Sequence, residues 1–460
     1  MMRRFAPALL IVVAACAVGP DYQRPELDAP RHWRATEANS QPLHADEWWR
    51  LFNDPLLDRL IDAALAENRD LKIAAARVLE ARANVVVTRS LQFPELSAQA
   101  AATRTRAANG GSTSPGVSFI GENYRLQGDV SFELDLWGKL RRATEAARAD
   151  LLATRYAREV TRLALISAVG SGYFNLRSLD LQLVIAERTL GSREEALSLT
   201  QKRFNGGVVS ELDVRQAEAE SQVARAIIPD LQRQIVFQQD ALSVLLGRYP
   251  NEIERGKTIT AISVPPDVPL GLPSELLARR PDILSTEQNL IAANAQIGVA
   301  KAAYFPSISL TGLLGVESAE LSNLLRSGSR IWQAGIGAGL PIFNAGRVSA
   351  QVDAAVARRE QALQQYRKIV ETAFAEVEDA LVAHRTAREK YNAQDAQVKA
   401  LRRSLRLADL RYRNGQSAYI EVLDAERNLF NAELGQVQTR QSQLDALVQL
   451  YKALGGGWEL

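Results

Sequence analysis

The sequence predicts a mainly α-helical chain that also carries a transmembrane β-barrel segment, built from one helix, strand-pair and long-helical-hairpin unit written twice. Three observations predict it. The chain repeats itself at about half its mature length, its helical tracts are too long for an ordinary globular domain, and its strands alternate apolar and polar residues over a bilayer-crossing length.

The repeat divides the chain. Asp70 to Pro94 matches Asp282 to Pro306 without a gap, ending in Phe93-Pro94 and Phe305-Pro306, an offset of 212 residues. Arg203-Phe204 through Gly207 to Ala217-Glu218 matches Arg411-Tyr412 through Gly415 to Ala425-Glu426, an offset of 208. Such a period is too long for a solenoid and implies a duplicated, domain-sized unit. The expected layout is an N-terminal extended segment at 16–55, a first repeat at 56–246, a connector at 247–273, a second repeat at 274–454 and a tail at 455–460. The connector holds Pro250, Pro265, Pro266, Pro269 and Pro273, which break helices.

Each repeat opens with an Ala- and Leu-rich helical tract, 56–92 and 274–303. Strands follow at about 94–106 and 122–136, and again at about 305–316 and 331–343. Tyr124, Leu126, Val130, Phe132, Leu134 and Leu136 alternate with Arg125, Gln127, Asp129, Ser131, Glu133 and Asp135, with Gly128 on the apolar face. Leu96, Ala98, Ala100 and Ala102 form the apolar row of its partner strand, and a Gly/Ser loop at 107–121 joins the two. In the second repeat the rows are Ile308, Leu310, Leu314 and Val316, then Trp332, Ala334, Ile336, Ala338, Leu340 and Ile342. A tilted bilayer crossing takes about 9–11 residues, and a spanning sheet tolerates no open edge. Four strands do not close a barrel, so the chain must associate, as a dimer with eight strands or a trimer with twelve.

Gly138 and Gly346 open the long hairpins, 138–246 and 346–454, which turn at Asn205-Gly206-Gly207 and Asn414-Gly415. Sixty-eight residues from Gly138 to Asn205 would reach about 100 Å as one helix. Val214, Ala217, Ser221, Ala224, Ile228, Leu231, Ile235, Gln238, Leu242 and Leu245 recur by threes and fours, a heptad seam for side-by-side packing.

Composition removes several functions. With 55 Lys+Arg against 53 Asp+Glu, the net charge of +2 nominates no nucleic acid partner. Three His and one Cys do not build a zinc cluster or a disulfide framework, and His32, His44 and His384 are scattered without a nucleophile signature. The expectation is no catalytic residue, no metal and no cofactor. Gly335-Ile336-Gly337-Ala338-Gly339 lies inside a strand and runs into Pro341 instead of a helix start, so it lacks the context of a nucleotide loop.

The first fifteen residues have the form of a signal peptide, with Arg3 and Arg4 before an uncharged stretch too short to span a bilayer. Val13-Ala14-Ala15-Cys16 resembles a bacterial lipobox, which makes Cys16 the expected lipidation site and mature N-terminus.

Cys16 with Gly19-Pro20-Asp21-Tyr22, Trp48-Trp49, Phe132-Glu133-Leu134-Asp135-Leu136-Trp137-Gly138, Arg279-Arg280-Pro281-Asp282, Leu340-Pro341-Ile342-Phe343 and Tyr451 to Trp458 resemble, together and in order, the outer membrane factor lipoproteins of tripartite efflux systems, the TolC/OprM-like family. The resemblance implies a homotrimer with a 12-stranded outer-membrane β-barrel on a 12-helix periplasmic α-barrel, belted by the N-terminal, connector and C-terminal segments. It implies a passive exit duct in the bacterial outer membrane, in contact with outer-membrane lipid and working with a periplasmic adaptor (membrane fusion protein) and an inner-membrane RND-type transporter. A protein-secretion channel and a non-conducting periplasm-spanning coiled coil are the alternatives.

The resemblance also places a gate at the second turn. Ile420, Asp424 and Arg427 are spaced by four and three, so they share one helix face. Three copies would set an apolar constriction and a charged ring on an axis. The first-repeat equivalents, Leu212, Gln216 and Ala219, lack the charges, which makes the second hairpin the expected mobile element. Gly207, Val208 and Val209 with Ser210, and Gly415, Gln416 and Ser417 with Ala418, form the expected adaptor-contact turns.

Overall fold

The structure, a computed structural model, describes residues 17–27, 30, 32–34, 47–106, 120–264 and 275–456. The signal segment, Cys16, His44, most of the loop between the first two strands and the last third of the connector lie outside the described residues. In chain order the elements are α1 (Pro55–Glu67), α2 (Arg69–Ser90), β1 (Glu95–Arg106), β2 (Ile120–Leu134), α3 (Lys139–Asn205), α4 (Glu211–Leu245), the single turn α5 (Leu276–Arg279), α6 (Pro281–Ala302), β3 (Ser307–Ser318), β4 (Arg330–Gly339), α7 (Arg347–Arg413) and α8 (Tyr419–Ala453). The hairpin helices have the same lengths in both repeats, 67 and 35 residues. The opening helical tract of each repeat is interrupted. Asn68 breaks the first, its side-chain Oδ1 accepting from Leu71 N at 3.0 Å, and Pro281 starts α6.

The chain divides into two compact units. The first comprises Met1–Glu26, Arg77–Arg155 and Ser285–Arg367 and holds the sheet. Its four strands run β1-β2-β3-β4, every neighbouring pair antiparallel. The register carries the sequence alternation across all four strands: Ala100 lies opposite Leu126, Leu126 opposite Val316, and Leu310 opposite Ile336. One face is therefore apolar from Leu96 to Ala102 and across the facing stretches of the other strands, and becomes polar only at one end, where Arg104 pairs with Glu122 and Arg330 lies opposite Val316. Leu96, Leu314, Trp332 and Ile336 stand exposed on it, which in water would be a large unburied patch. The other face carries Gln99, Arg125, Gln127, Asp129, Thr311 and Glu317, with Arg125 Nη2 on Glu317 Oε2 at 2.8 Å. Gly335 and Gly337 lie on this polar face, where an added Cβ would come within 3.1 Å of Thr311 Oγ1 and Ser309 Oγ.

The strands differ from the sequence expectation at several ends: β2 starts two residues earlier, β3 lies two residues later, and β2 and β4 stop short. β2 stops at Leu134 because the Asp135 carboxylate accepts from Leu140 N at 3.0 Å and Arg141 N at 2.9 Å, capping α3 and ending the ladder. β4 stops at Gly339 because Pro341 has no N–H to donate. At the base of the sheet Trp137 stacks on Phe305 with centroids 4.7 Å apart and donates to Pro306 O at 2.7 Å. Residues 17–24 lie along this unit: Val18 N donates to Trp137 O, Arg142 pairs with Asp21 at 2.6 Å, and Tyr22 and Arg24 both reach Glu287. Gly19, at φ +115°, meets Gly298 so closely that a Cβ there would fall 2.5 Å from its Cα.

The second unit comprises Leu27–Ala76, Tyr156–Leu284 and Lys368–Leu460. Its aromatic core seats Trp48 flat on Tyr451 at 5.0 Å and Phe52 edge-on to Phe174 at 4.8 Å. Asp54, 1% exposed, caps α1 through Leu56 N at 3.0 Å and accepts from Tyr173 Oη at 2.7 Å. Seven of the ten seam residues on α4 are buried, and Ile228, Gln238 and Leu245 are half-buried. The connector is held by the buried Arg440, whose guanidinium donates to Ile259 O at 3.3 Å and Ile262 O at 2.6 Å.

Candidate functional site

The two helical turns are built alike and capped differently. In the first, Val208 N donates to Arg203 O at 2.9 Å and Gly207 N to Phe204 O at 2.8 Å, with Gly207 at φ +73°. In the second, Gln416 N donates to Arg411 O at 2.9 Å and Gly415 N to Tyr412 O at 3.0 Å, with Gly415 at φ +69°. Both are glycine-terminated helix ends. Ser210 then forms a capping box with Asp213 at the start of α4, whereas Ala418 starts α8 with no side-chain cap. Val208 stands exposed at the first turn, and Ser417 Oγ is buried without a hydrogen-bond partner in the second.

Behind the turns, Ala217, Tyr412, Tyr419, Val422 and Leu423 form a buried cluster. The two tyrosine rings are 5.1 Å apart, and the Arg203 guanidinium lies 4.5 Å over Tyr412. Burial first, and then the negative charge of Glu426, push the Tyr419 hydroxyl up to about 12.

The three expected gate residues all lie on the exposed side of the first turns of α8, with Ile420, Asp424 and Arg427 each roughly half exposed. Arg427 Nη1 is 3.6 Å from Asp424 Oδ1. Its closer partner is one the sequence did not nominate: Nη2 and Nε donate to Glu220 Oε1 on α4, at 2.9 and 3.1 Å. The other oxygen of Glu220 pairs with Arg193 of α3 at 3.1 Å, and Arg193 Nη1 also donates to the Glu220 carbonyl at 2.7 Å. Arg193 is 3% exposed and lies 5.3 Å over the Phe430 ring. One carboxylate thus ties α3, α4 and α8 together. A second node repeats the pattern on α8, where the buried Glu433 accepts from Arg402 of α7 at 2.8 Å and pairs with Arg188 of α3.

Between these nodes sits Glu426. Its Oε2 is buried with no partner, and burial raises its pKa above the ordinary carboxylate value, with Arg193 acting in the opposite sense. Glu426 lines a cavity of about 770 Å³ among α3, α7 and α8, beside Arg203, Arg402, Asp409 and Tyr419. The repeat could have drawn attention to this region. Glu218, the first-repeat match of Glu426, is solvated and paired with Arg215, so one residue type occupies two environments. Arg193 and Glu220 align with Leu401 and Asn428 and have no charged counterpart. Among the described residues there is no group of three His, Cys, Asp or Glu able to hold a metal ion, and no helix is long and apolar enough to cross a membrane.

A sheet with one apolar and one polar face, joined to two hairpins of very long helices, defines an outer-membrane channel chain. The chain belongs to the outer membrane efflux protein family, which matches it over residues 60–248 and 272–456. It is 39% identical over 456 residues to the toluene efflux pump outer membrane protein TtgC of Pseudomonas putida, covering 97% of this chain and 94% of that protein. It is 35% identical over 461 residues to the cation efflux system protein CusC of Escherichia coli O6:H1, covering 98% and 97%. The outer-membrane channel OprN superposes with a TM-score of 0.90 at 32% identity, over 96% of this chain and all of that one. The chain is an outer-membrane efflux channel component that extends into the periplasm, and the expected fold class and family stand.

Proposed function

We propose that three copies of this chain form the passive exit duct of a tripartite efflux pump, with Cys16 carrying the lipid anchor and the α8 turn acting as the periplasmic gate. The observation that carries the reading is the sheet. Its apolar face is continuous over four strands and the outer edges of β1 and β4 are unpaired among the described residues, an arrangement that water does not tolerate and a closed twelve-stranded barrel in lipid satisfies. The polar face then lines the lumen. The duct passes drugs or other small toxic compounds delivered by an inner-membrane RND-type transporter and a periplasmic adaptor, with no bond-making step assigned to this chain.

The gate reading rests on position and chemistry. Ile420, Asp424 and Arg427 share an exposed helix face immediately after a turn whose helix lacks a side-chain cap, and the bond from Arg427 to Glu220 holds that helix to its neighbours. The residues Gly207, Val208, Val209, Gly415, Gln416 and Ser417 form the surface offered to the adaptor.

The test is single-channel conductance of the purified chain in a planar bilayer, compared with an Asp424→Ala, Arg427→Ala double variant. Small parental currents that rise in the variant support both pore and gate. Membrane insertion with no current from either chain would sink the duct reading in favour of a non-conducting coiled coil.

A further inference from the structure

The two faces of the sheet carry opposite charge. Nine residues of the four strands are Asp, Glu or Arg, and the unbroken register assigns each to a face. Glu95, Asp129, Glu133 and Glu317 share the polar face with Arg125. Arg104, Arg106 and Arg330 share the apolar face with Glu122. The polar face is thus net negative and the apolar face net positive. Contact with water alone does not sort charges by sign, because water solvates both.

Height on the sheet sorts them again. All four charges of the apolar face lie at the end remote from the base, where Trp137 stacks on Phe305 and α3 begins. Next below them on the same face come Tyr124 and Trp332, the latter 77% exposed, and then the apolar rows. Aromatic residues at the edge of an apolar band mark a membrane interface. The strand ends also step in one direction. At the base, Glu95 of β1 lies in the row of Ser131, and Gly339 of β4 lies beside Ser307, one residue beyond the pair of Leu134 and Ile308. At the far end, Arg104 lies in the row of Glu122 and Arg330 in that of Leu126 and Val316. The step is four residues at both ends, the stagger that tilted strands produce, and it brings Arg330 to the level of Arg104.

We propose that Arg104, Arg106 and Arg330 bind the phosphate groups of the outer-leaflet glycolipid, lipopolysaccharide, whose acyl chains lie against the apolar rows below. The helices that join the base reach into the periplasm, so the Arg104 end is the one that meets the outer leaflet. Arg104 and Arg106, two residues apart on one strand face, are about 7 Å apart. All three arginines are exposed. Arg104 meets Glu122 through Nε at 3.4 Å, and Tyr124 Oη donates to the other oxygen of that carboxylate at 3.2 Å. This contact uses the Nε edge and does not spend the terminal nitrogens, which form the fork that matches phosphate oxygens. An anionic lipid relieves the repulsion among three like charges and continues the apolar contact in one molecule. The assignment rests on the duct reading and adds to it the lipid that the outer face of the barrel selects.

Native mass measurement of the full-length chain in detergent, titrated with lipopolysaccharide, tests the site. The parent is compared with an Arg104→Gln, Arg106→Gln, Arg330→Gln triple variant, and the single variant Arg330→Gln with Arg125→Gln, which removes the same charge from the polar face. At roughly fivefold per arginine, the triple variant should bind about a hundredfold more weakly and Arg330→Gln about fivefold, with Arg125→Gln unchanged. Lipopolysaccharide stripped of its phosphates should bind the parent as weakly as the intact lipid binds the triple variant. Equal binding by the triple variant, or of stripped and intact lipid by the parent, overturns the phosphate site. Displacement by inorganic phosphate at the glycolipid's own concentration assigns the cluster to a free anion and overturns the lipid assignment. If the triple variant does not assemble, Arg330→Gln against Arg125→Gln decides by the same criterion. These outcomes leave the duct reading standing, which instead falls if the parent chain does not insert into lipid vesicles.

Discussion

Arg427 of α8 donates twice to Glu220 of α4, through Nη2 at 2.9 Å and Nε at 3.1 Å, while the opposite oxygen of that carboxylate holds the buried Arg193. The two arms differ in burial, Arg427 being half exposed and Arg193 3% exposed. Removing the solvated arm with Arg427→Ala should therefore cost less than about 1 kcal/mol. Glu220→Gln strands a buried guanidinium and should cost about 3 kcal/mol of tip packing. Hydrogen exchange across residues 419–430 is expected to rise far more in Glu220→Gln than in Arg427→Ala. Equal protection in the two variants would mean that Glu220 does not organise the tip.

Glu426 is expected to make the packing around the second turn sensitive to pH. It is faced by Arg193 from α3, Glu220 from α4, Asp409 from α7 and Tyr419 from α8, with Arg402 lining the adjoining cavity, and burial is the largest influence on it. A carboxyl whose pKa is raised by packing binds its proton more tightly in the packed tip than in the opened one. The packed tip is therefore favoured at low pH and loses stability as the pH climbs from the ordinary carboxylate value through the raised one. Exchange at the second turn should be faster at about pH 8 than at about pH 5 after correction for intrinsic rates, and Glu426→Gln should flatten that difference. A slope that survives in the variant would assign the effect to another group.

The missing cap on α8 is correctable. Glu421 stands three residues after Ala418, so Ala418→Ser creates the Ser-x-x-Glu capping box that Ser210 and Asp213 already approximate on α4. The variant should gain about 1 kcal/mol of local stability at the second turn, and Ser210→Ala should lose as much at the first. Local exchange measures both, and a gate that opens by fraying at this turn should conduct less in Ala418→Ser.

Tyr173 and Asp54 govern the aromatic core. The buried Tyr173 hydroxyl is pushed well above its usual range by burial and by the Asp54 carboxylate that accepts from it. Tyr173→Phe leaves that carboxylate oxygen short of a donor and should destabilise the fold by about 1–3 kcal/mol, read as a lower thermal midpoint in detergent. An unchanged midpoint would mean that water reaches Asp54 in the folded state.

Substitutions at the turns test the proposed docking surface apart from folding. Val208 is exposed and lies outside the helix, so Val208→Glu should leave the oligomer intact while reducing efflux in cells and capture of the adaptor by about tenfold. Gln416→Glu serves the same purpose at the second turn without touching the positive φ of Gly415. Undiminished efflux in both variants would remove these residues from the adaptor surface.

The sequence by itself determined the duplication, the strand faces and the long hairpins, because these follow from periods of two and three-to-four that local backbone geometry imposes. It located both turns through Gly207 and Gly415, since positive φ demands glycine there. It also placed Ile420, Asp424 and Arg427 on one face of α8. Only the tertiary structure revealed that Arg427 is bound to Glu220, that Arg193 completes the node and that Glu426 holds a buried, unpartnered Oε2 while the half-exposed Glu218 is paired with Arg215. The reason is physical. A charge on a long helix carries no local mark of what crosses over it, and 207 positions separate Glu220 from Arg427. Periodicity assigns a residue to a face, and packing between distant helices decides whether that face meets water, an opposite charge or nothing.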